Sequence, residues 1–88
     1  MAYIIQYSKR AASDITSLGA HIKQRIVAKL EYFSASPDPM RYAKALTGQI
    51  SGLYRFRIGD YRVIFELKRN GLIVILYVVH VGHRKEVY

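Results

Sequence analysis

Several residue types are absent from this 88-residue chain or scarce in it. It has no cysteine and no tryptophan, only 2 prolines, and 6 acidic side chains against 14 lysines and arginines. The absence of cysteine excludes a disulfide framework and a thiolate-bound metal, and nothing points to an oxidising compartment. The fold must therefore depend on its hydrophobic residues, which make up 51% of the sequence.

Long apolar runs are missing as well. No stretch approaches the roughly 18 residues of a membrane span, and the first residues lack the basic head and apolar middle of a signal peptide. We therefore expect a soluble, cytoplasmic protein that makes no contact with a membrane. Residues 1–88 have room for one small domain and for no second domain that carries a site.

The charge of the chain is strongly one-sided. The formal net charge is +8 and the isoelectric point is about 10.0. Such a positive field favours a nucleic acid or an acidic protein as the partner. A basic, well-solvated surface without a particular ligand is the alternative. Composition does not choose between them, whereas the positions of the arginines are informative.

Apolar residues and arginines alternate in two segments around Gly59-Asp60. A two-residue loop of this kind is typical of a tight hairpin and determines how its strands pair. The predicted partners are Ile58 and Tyr61, Arg57 and Arg62, Phe56 and Val63, and Arg55 and Ile64. Successive side chains of a strand point to opposite faces. One face then carries Tyr54, Phe56, Ile58, Tyr61, Val63 and Phe65, and the other carries Arg55, Arg57 and Arg62.

The predicted pair of Arg57 and Arg62 places like charges directly across a sheet. Such pairs are destabilising, so this arrangement predicts that an anion binds there, and a phosphate is the obvious candidate. The alternative is that Arg55 and Arg57 are ordinary residues of an edge strand, where basic side chains discourage aggregation. Arg62 is harder to explain in that way because it lies in a more interior strand.

The first half of the chain predicts one strand and several helices. Residues 2–7 predict a strand, and Ser8 predicts a helix cap. Apolar residues at helical spacing then predict two helices separated by Gly19 and ending before Ser36-Pro37. Residues 39–46 predict a short third helix that is closed by Gly48.

The second half predicts three antiparallel strands. They cover residues 54–58, 61–68 and 72–81, and Asn70-Gly71 predicts the second hairpin turn. The nearly unbroken apolar run of residues 72–81 predicts a central strand. The expected fold is therefore α+β, with an N-terminal strand, a helical hairpin, a short third helix, a C-terminal three-stranded meander, and helices on one face of the sheet.

The same pairing sorts the histidines. Continued across Asn70-Gly71, it places His80 opposite Tyr61 on the apolar face, and His83 on the face of the arginines. His80 is then expected to be a packed core residue, and His83 becomes the site candidate. Gly82 is the position at which a bulge would reverse this assignment. His21 is expected on a solvated helix face.

The segment from His83 to Tyr88 follows the central strand and is expected to hang over the arginines. Cleavage of RNA by its own 2′-hydroxyl needs a base, an acid and charge stabilisation, but no metal. Arginine suits charge stabilisation because it binds phosphate bidentately and keeps its proton. His83 and Tyr88 are therefore the candidates for proton transfer. The sequence has no metal-ligand cluster, Ser/His/Asp signature, GxGxxG or phosphate loop, and we expect no cofactor.

In its order of elements the chain resembles the RelE family of toxins, within the RelE/ParE superfamily. The resemblance covers the whole chain and is most specific in Leu46-Thr47-Gly48, the arginine hairpin, and residues 81–88. It implies a toxin of a type II toxin-antitoxin system that cuts mRNA in the ribosomal A site and halts translation. It also implies functional roles for the basic residues Arg55, Arg57, Arg62 and Arg84 and for Tyr88. Together with the residue chemistry above, we expect Arg62, Arg84, His83 and Tyr88 to be catalytic, and Arg55, Arg57 and Lys85 to bind RNA or phosphate.

One departure from the family concerns proton transfer. In the best-known RelE toxin the positions of Arg55 and Arg57 are lysines, one of which has a proton-transfer role. Arginine does not release its proton, so this role moves to His83 and Tyr88, and Arg55 and Arg57 are expected to position the RNA.

The resemblance also implies partners. They are a cognate antitoxin that wraps the toxin, the ribosome, and mRNA. The toxin-antitoxin complex is expected to be hetero-oligomeric and to bind operator DNA through the antitoxin. Two other functions stay open: a ParE-like inhibitor of DNA gyrase, and a non-catalytic basic module that binds RNA or an acidic protein.

Overall fold

The computed structural model describes residues 2–85, which form a five-stranded sheet and two α-helices. In chain order the elements are β1 (Ala2–Tyr7), α1 (Lys9–Ser17), α2 (Ala20–Ala35), β2 (Ala43–Ala45), β3 (Tyr54–Ile58), β4 (Tyr61–Asn70) and β5 (Ile73–His83). Short 3₁₀ turns lie at Pro39–Tyr42 and Gly48–Ile50. No helix in this part of the chain is long and apolar enough to cross a membrane.

The strands lie in the order β1-β5-β4-β3-β2. β5 pairs with β1 in parallel and with β4 in antiparallel orientation, so the apolar run forms an interior strand, while β4 takes the central position that was predicted for that run. The remaining pairs, β4 with β3 and β3 with β2, are antiparallel. The predicted three-stranded meander therefore forms the middle of a wider mixed sheet, and the α+β fold class is confirmed.

The core lies between the helices and one face of the sheet. Ala11, Ile15, Ile26, Leu30 and Phe33 come from the helices, and Phe56, Ile58, Val63, Phe65, Leu76, Val78 and Val81 come from the sheet. At its centre the ring of Phe56 lies 4.6 Å from Phe33 and 4.4 Å from Phe65, measured between centroids. Truncating a buried phenylalanine to alanine costs about 3–5 kcal/mol, so this aromatic row anchors the hairpin to the helices.

Both helices begin where the sequence predicts. The Ser8 hydroxyl caps α1 by accepting a hydrogen bond from the Ala11 backbone N–H at 3.0 Å. Gly19 precedes α2 with φ at +87°, a left-handed conformation that favours glycine.

The predicted third helix is wrong beyond its first turn. Residues 39–46 form the 3₁₀ turn Pro39–Tyr42 and then the strand β2, in which Lys44 pairs with Arg55. The open edge of β3 offers backbone partners to this segment, and a helix of this length is marginal by itself.

The second hairpin turn lies one position later than predicted. Asn70 pairs with Ile73, so Gly71 and Leu72 form the loop, and Gly71 has φ at +61°. Gly71 thus takes the left-handed position at the start of the loop.

Candidate functional site

The arginine hairpin forms as the sequence predicts. β3 and β4 pair as Ile58 with Tyr61, Arg57 with Arg62, Phe56 with Val63, and Arg55 with Ile64. Phe56, Ile58, Val63 and Phe65 face the helices and are buried. Arg55, Arg57 and Arg62 therefore lie on the opposite side of the sheet, which we call the arginine face. Lys44 lies beside Arg55 in the same register and adds a fourth cation.

Arg62 is the most constrained member of the arginine face. It lies in an interior strand and is half-buried, whereas Arg57 opposite it is exposed. Its Nε is buried and has no hydrogen-bond partner within residues 2–85. A buried donor without a partner costs about 1–3 kcal/mol. Both the unpaired Nε and the positive charge of Arg57 are therefore unfavourable at Arg62, the residue that the sequence predicts most strongly to bind phosphate.

Arg84 lies at the same end of the sheet. Its backbone N–H donates to the Asp60 carbonyl at 2.8 Å, and its Nε lies 3.9 Å from the Asp60 carboxylate. Asp60 belongs to the Gly59-Asp60 turn. The pair of Ile58 and Tyr61 separates this turn from the pair of Arg57 and Arg62. The backbone of Arg84 is thus fixed beside this turn. Its side chain is half-exposed, so the ion pair with Asp60 adds little stability and leaves the guanidinium free to bind an anion.

The turn is also covered from the helix side. A Cβ placed on Gly59 would lie 2.9 Å from Nη2 of Arg25, a residue of α2. Gly59 has φ at +60°, so the turn conformation favours glycine, whereas the end of the flexible Arg25 side chain can move away from an added Cβ.

The predicted position of His83 is wrong. His83 pairs with Tyr61, and the two rings meet edge to face with centroids 5.6 Å apart. Tyr61 belongs to the apolar side of the hairpin, so His83 lies on the helix side of the sheet and not on the arginine face. Its Nδ1 accepts a hydrogen bond from the Lys85 backbone N–H at 3.2 Å.

The predicted position of His80 is wrong in the opposite direction. His80 pairs with Ile64, which pairs on its other side with Arg55. His80 therefore lies on the arginine face. The physical reason is a bulge: Phe65 pairs with Val78 but Ile64 pairs with His80, so Val79 is the extra residue. One extra residue reverses the side on which every later side chain points, and it lies at Val79 and not at Gly82.

Asp14 is a site residue that the sequence did not indicate. One of its carboxylate oxygens accepts from Val81 N–H at 3.1 Å, lies 2.7 Å from Nδ1 of His80, and lies 3.8 Å from Nε of Arg10. The contact is possible because β1 ends at Tyr7, so the edge of β5 beyond Val78 is not covered by a strand.

Ser8, which caps α1, binds to this uncovered edge of β5. Ser8 N–H donates to the Val78 carbonyl at 2.9 Å, and the Ser8 hydroxyl donates to the Val79 carbonyl at 3.3 Å. α1 is therefore tied to the bulged part of β5, and Asp14 follows within the same helix. The only signal for this in the sequence is an acidic residue on a short helix, which by itself does not predict a partner.

The remaining predicted residues are less constrained. Lys85 is exposed beside Arg84, and His21 is exposed on α2 as expected. Tyr88 lies outside the described residues. Within residues 2–85 no group of three or more His, Asp or Glu side chains is placed to hold a metal ion. The structure thus brings together Arg55, Arg57 and Arg62, with Arg84 at their end, and places His80 instead of His83 on their face.

Comparisons with known proteins match this architecture along the whole chain. The family model for the ParE toxin of the type II toxin-antitoxin system parDE matches residues 5–88. Toxin RelG of Mycobacterium tuberculosis is 25% identical over 88 residues, which cover 100% of this chain and 98% of that protein.

Solved structures agree with these matches. The RelB-RelE antitoxin-toxin complex of Methanococcus jannaschii is 27% identical with a TM-score of 0.63, and the alignment covers 93% of each chain. A free mutant of toxin RelE from Escherichia coli has a TM-score of 0.70 over 99% of this chain and 88% of its own, and its 22% identity supports the fold alone. The chain therefore belongs to the ParE toxin family of type II toxin-antitoxin systems, within the RelE/ParE superfamily.

Proposed function

We propose that this toxin is a metal-independent endoribonuclease that cuts mRNA in the ribosomal A site and so inhibits translation. The observation that carries the proposal is the arginine face. Arg55, Arg57 and Arg62 share one side of a rigid sheet, Arg84 is tied to the same end, and the buried Nε of Arg62 has no partner within residues 2–85. A phosphate supplies the charge and the acceptors that this arrangement needs.

Arg62 and Arg84 are assigned to the reacting phosphate. Charge develops on the phosphate oxygens as the 2′-oxygen attacks, and preorganised guanidinium groups stabilise that charge. The interior strand holds Arg62, and the hydrogen bond to Asp60 holds the backbone of Arg84. Arg55, Arg57 and Lys85 bind the flanking RNA, since each is at least partly accessible to solvent.

His83 and Tyr88 are assigned to proton transfer. Nδ1 of His83 accepts a backbone hydrogen bond, so the neutral ring carries its proton on Nε2. To act as the general acid, His83 must be the imidazolium, so the ring takes up a second proton at Nδ1 in place of that hydrogen bond and then donates from Nε2. His83 does not lie on the arginine face. In this proposal it reaches the substrate over the end of the sheet, beside Arg84.

A cognate antitoxin is the proposed protein partner. Solved relatives include a RelB-RelE antitoxin-toxin complex, and a net charge of +8 suits an acidic antitoxin segment. We further propose a cytoplasmic, hetero-oligomeric toxin-antitoxin complex that binds operator DNA through the antitoxin.

Inhibition of DNA gyrase is the second candidate function, because the matching family model is described by the ParE toxin. A gyrase inhibitor acts by binding a protein and has no need of an arginine face aimed at phosphate. It predicts supercoiling defects with translation unaffected at first. A non-catalytic basic module is the third candidate, and it predicts that the number of removed charges matters more than their positions.

Primer extension on mRNA after brief induction separates the three. The endonuclease predicts cuts within codons on ribosomes, loss of the cuts in Arg62→Ala and Arg84→Ala, and normal cuts in the control Arg41→Ala. Arg41 lies in the turn Pro39–Tyr42, outside the arginine face, so it removes the same charge elsewhere. Intact message on arrested ribosomes would overturn the proposal. Intact message, together with equal losses of toxicity in Arg41→Ala and Arg62→Ala, would favour the basic module.

A further inference from the structure

We propose that His80, oriented by Asp14, is the general base that takes the 2′-hydroxyl proton of the RNA. This inference rests on the proposed function and names a group that the resemblance does not assign. It arises from the bulge at Val79, which turns His80 from the core to the arginine face.

The sheet register places His80 within reach of the arginines. Across the sheet, Lys44, Arg55, Ile64 and His80 form one row, and Arg57, Arg62 and Gly82 form the next row. His80 is thus a diagonal neighbour of Arg62, and such neighbours lie about 7–8 Å apart, within reach of long side chains. Ile64, between His80 and Arg55, is only 2% exposed although it faces away from the core cluster. The register thus allows a phosphate held by Arg62 to approach the imidazole from the arginine face.

Asp14 prepares the imidazole for accepting a proton. Its carboxylate lies 2.7 Å from Nδ1 of His80, so Nδ1 is the nitrogen that carries the proton of the neutral ring. Nε2 then has a free lone pair. This is the arrangement in which a carboxylate fixes the tautomer of a catalytic histidine. The carboxylate is itself held by Val81 N–H, and the side chains of His80 and Asp14 are each 23% exposed, so the ring is supported and still accessible.

The charged groups around His80 come from two elements. Asp14 and Arg10 approach from α1, and Arg62 and Glu66 are the diagonal neighbours from β4. Asp14 stabilises the imidazolium that forms when the base accepts its proton, and Arg62 stabilises the phosphate.

The step balances without a cofactor. Nε2 of His80 takes the proton of the 2′-hydroxyl, and the 2′-oxygen forms a bond to phosphorus. The bond from phosphorus to the 5′-oxygen breaks, and that oxygen takes a proton from His83 or Tyr88, the acid of the proposed function. The products are a 2′,3′-cyclic phosphate and a 5′-hydroxyl, and His80 later returns its proton to water. Asp14 is a positioning residue because it acts through His80.

A purely structural role is the competing explanation, since the contact also fastens α1 to β5. His80→Gln separates the two roles. Glutamine still offers an N–H to Asp14 but has no basic nitrogen, so folding is retained and proton transfer is lost. His80→Ala opens a half-buried space in which added imidazole replaces the missing ring, and such rescue is specific to proton transfer.

The experiment measures single-turnover cleavage of mRNA on programmed ribosomes, with thermal unfolding of each variant as the check on folding. A positioned base contributes about 10²–10⁴-fold, so we expect His80→Gln to be slower by that factor, His80→Ala to regain cleavage with imidazole, and the control His21→Gln to match the wild type. Asp14→Asn is expected to be slowed less than His80→Gln. Cleavage by a folded His80→Gln within a few-fold of the wild type would overturn the proposal, and so would His80→Ala without imidazole rescue. Failure of the wild type itself to cleave would instead overturn the proposed function.

Discussion

Replacing Arg57 by glutamine is expected to stabilise the protein while it weakens the toxin. Arg57 and Arg62 face each other across β3 and β4, and opposite pairs in a sheet interact by about 0.2–1 kcal/mol, with like charges unfavourable. Removal of one charge should therefore raise the free energy of unfolding by about that amount. For a domain of this size 1 kcal/mol corresponds to about 4–8 °C, so the melting temperature should rise by about 1–8 °C.

The charge reversal Arg57→Glu extends the same reasoning. It removes the repulsion and adds an attraction to Arg62, so the gain in stability should be about twice that of Arg57→Gln. Arg57→Lys keeps the charge and should leave the melting temperature unchanged. Both charge-removing variants should bind single-stranded RNA less tightly and cut mRNA more slowly, because the anion that stabilises the pair is held less well.

The assay is thermal unfolding followed by circular dichroism at low salt, where charge interactions are least screened. Gln24→Glu is the matched control, since it lowers the formal net charge of +8 by one, as Arg57→Gln does, but at an exposed position of α2. A rise in the melting temperature that is equal in Gln24→Glu and Arg57→Gln would show a general effect of net charge. That result, or a melting temperature of Arg57→Gln below the wild type, would refute the argument that the arginine pair is strained.

Two further perturbations test the surroundings of the site. Gly59→Ala should destabilise the protein by about 1–2 kcal/mol because φ is +60°, a left-handed conformation that is unfavourable for alanine. Urea unfolding measures the change, and an unchanged midpoint would contradict the turn geometry. Burial, and to a lesser extent the charge of Glu31, raise the pKa of Tyr7 above its usual value of 10.0. The raised pKa means that the contribution of Tyr7 to stability is present below pH 10.0 and is lost as the pH rises through the folded pKa. Tyr7→Phe should therefore lose less stability than the wild type between neutral and strongly alkaline pH, and identical pH profiles of the melting temperature would contradict this.

The arginine face could be predicted from the sequence because its causes are local. The strands of the hairpin are joined by only Gly59 and Asp60, so the loop determines the pairing, and alternation then assigns Arg55, Arg57 and Arg62 to one face. The same locality explains why the helix cap at Ser8 was predicted correctly.

The predicted third helix failed for a non-local reason. Residues 43–45 are Ala-Lys-Ala, which favours a helix by local propensity, and they nevertheless form β2 because the edge of β3 is available to pair with them. β3 follows later in the chain, so a local pattern does not reveal this partner.

The assignment of the histidines also depended on a non-local feature. The sequence pattern requires β4 and β5 to pair, but the extra residue at Val79 arises where β1 ends and α1 takes over the edge of β5. This junction brings Asp14, which is distant in sequence, to His80. Local alternation therefore determined that the protein has an arginine face, whereas the packing of α1 against β5 decided which histidine lies on it, because one bulged residue reverses the side of every side chain that follows.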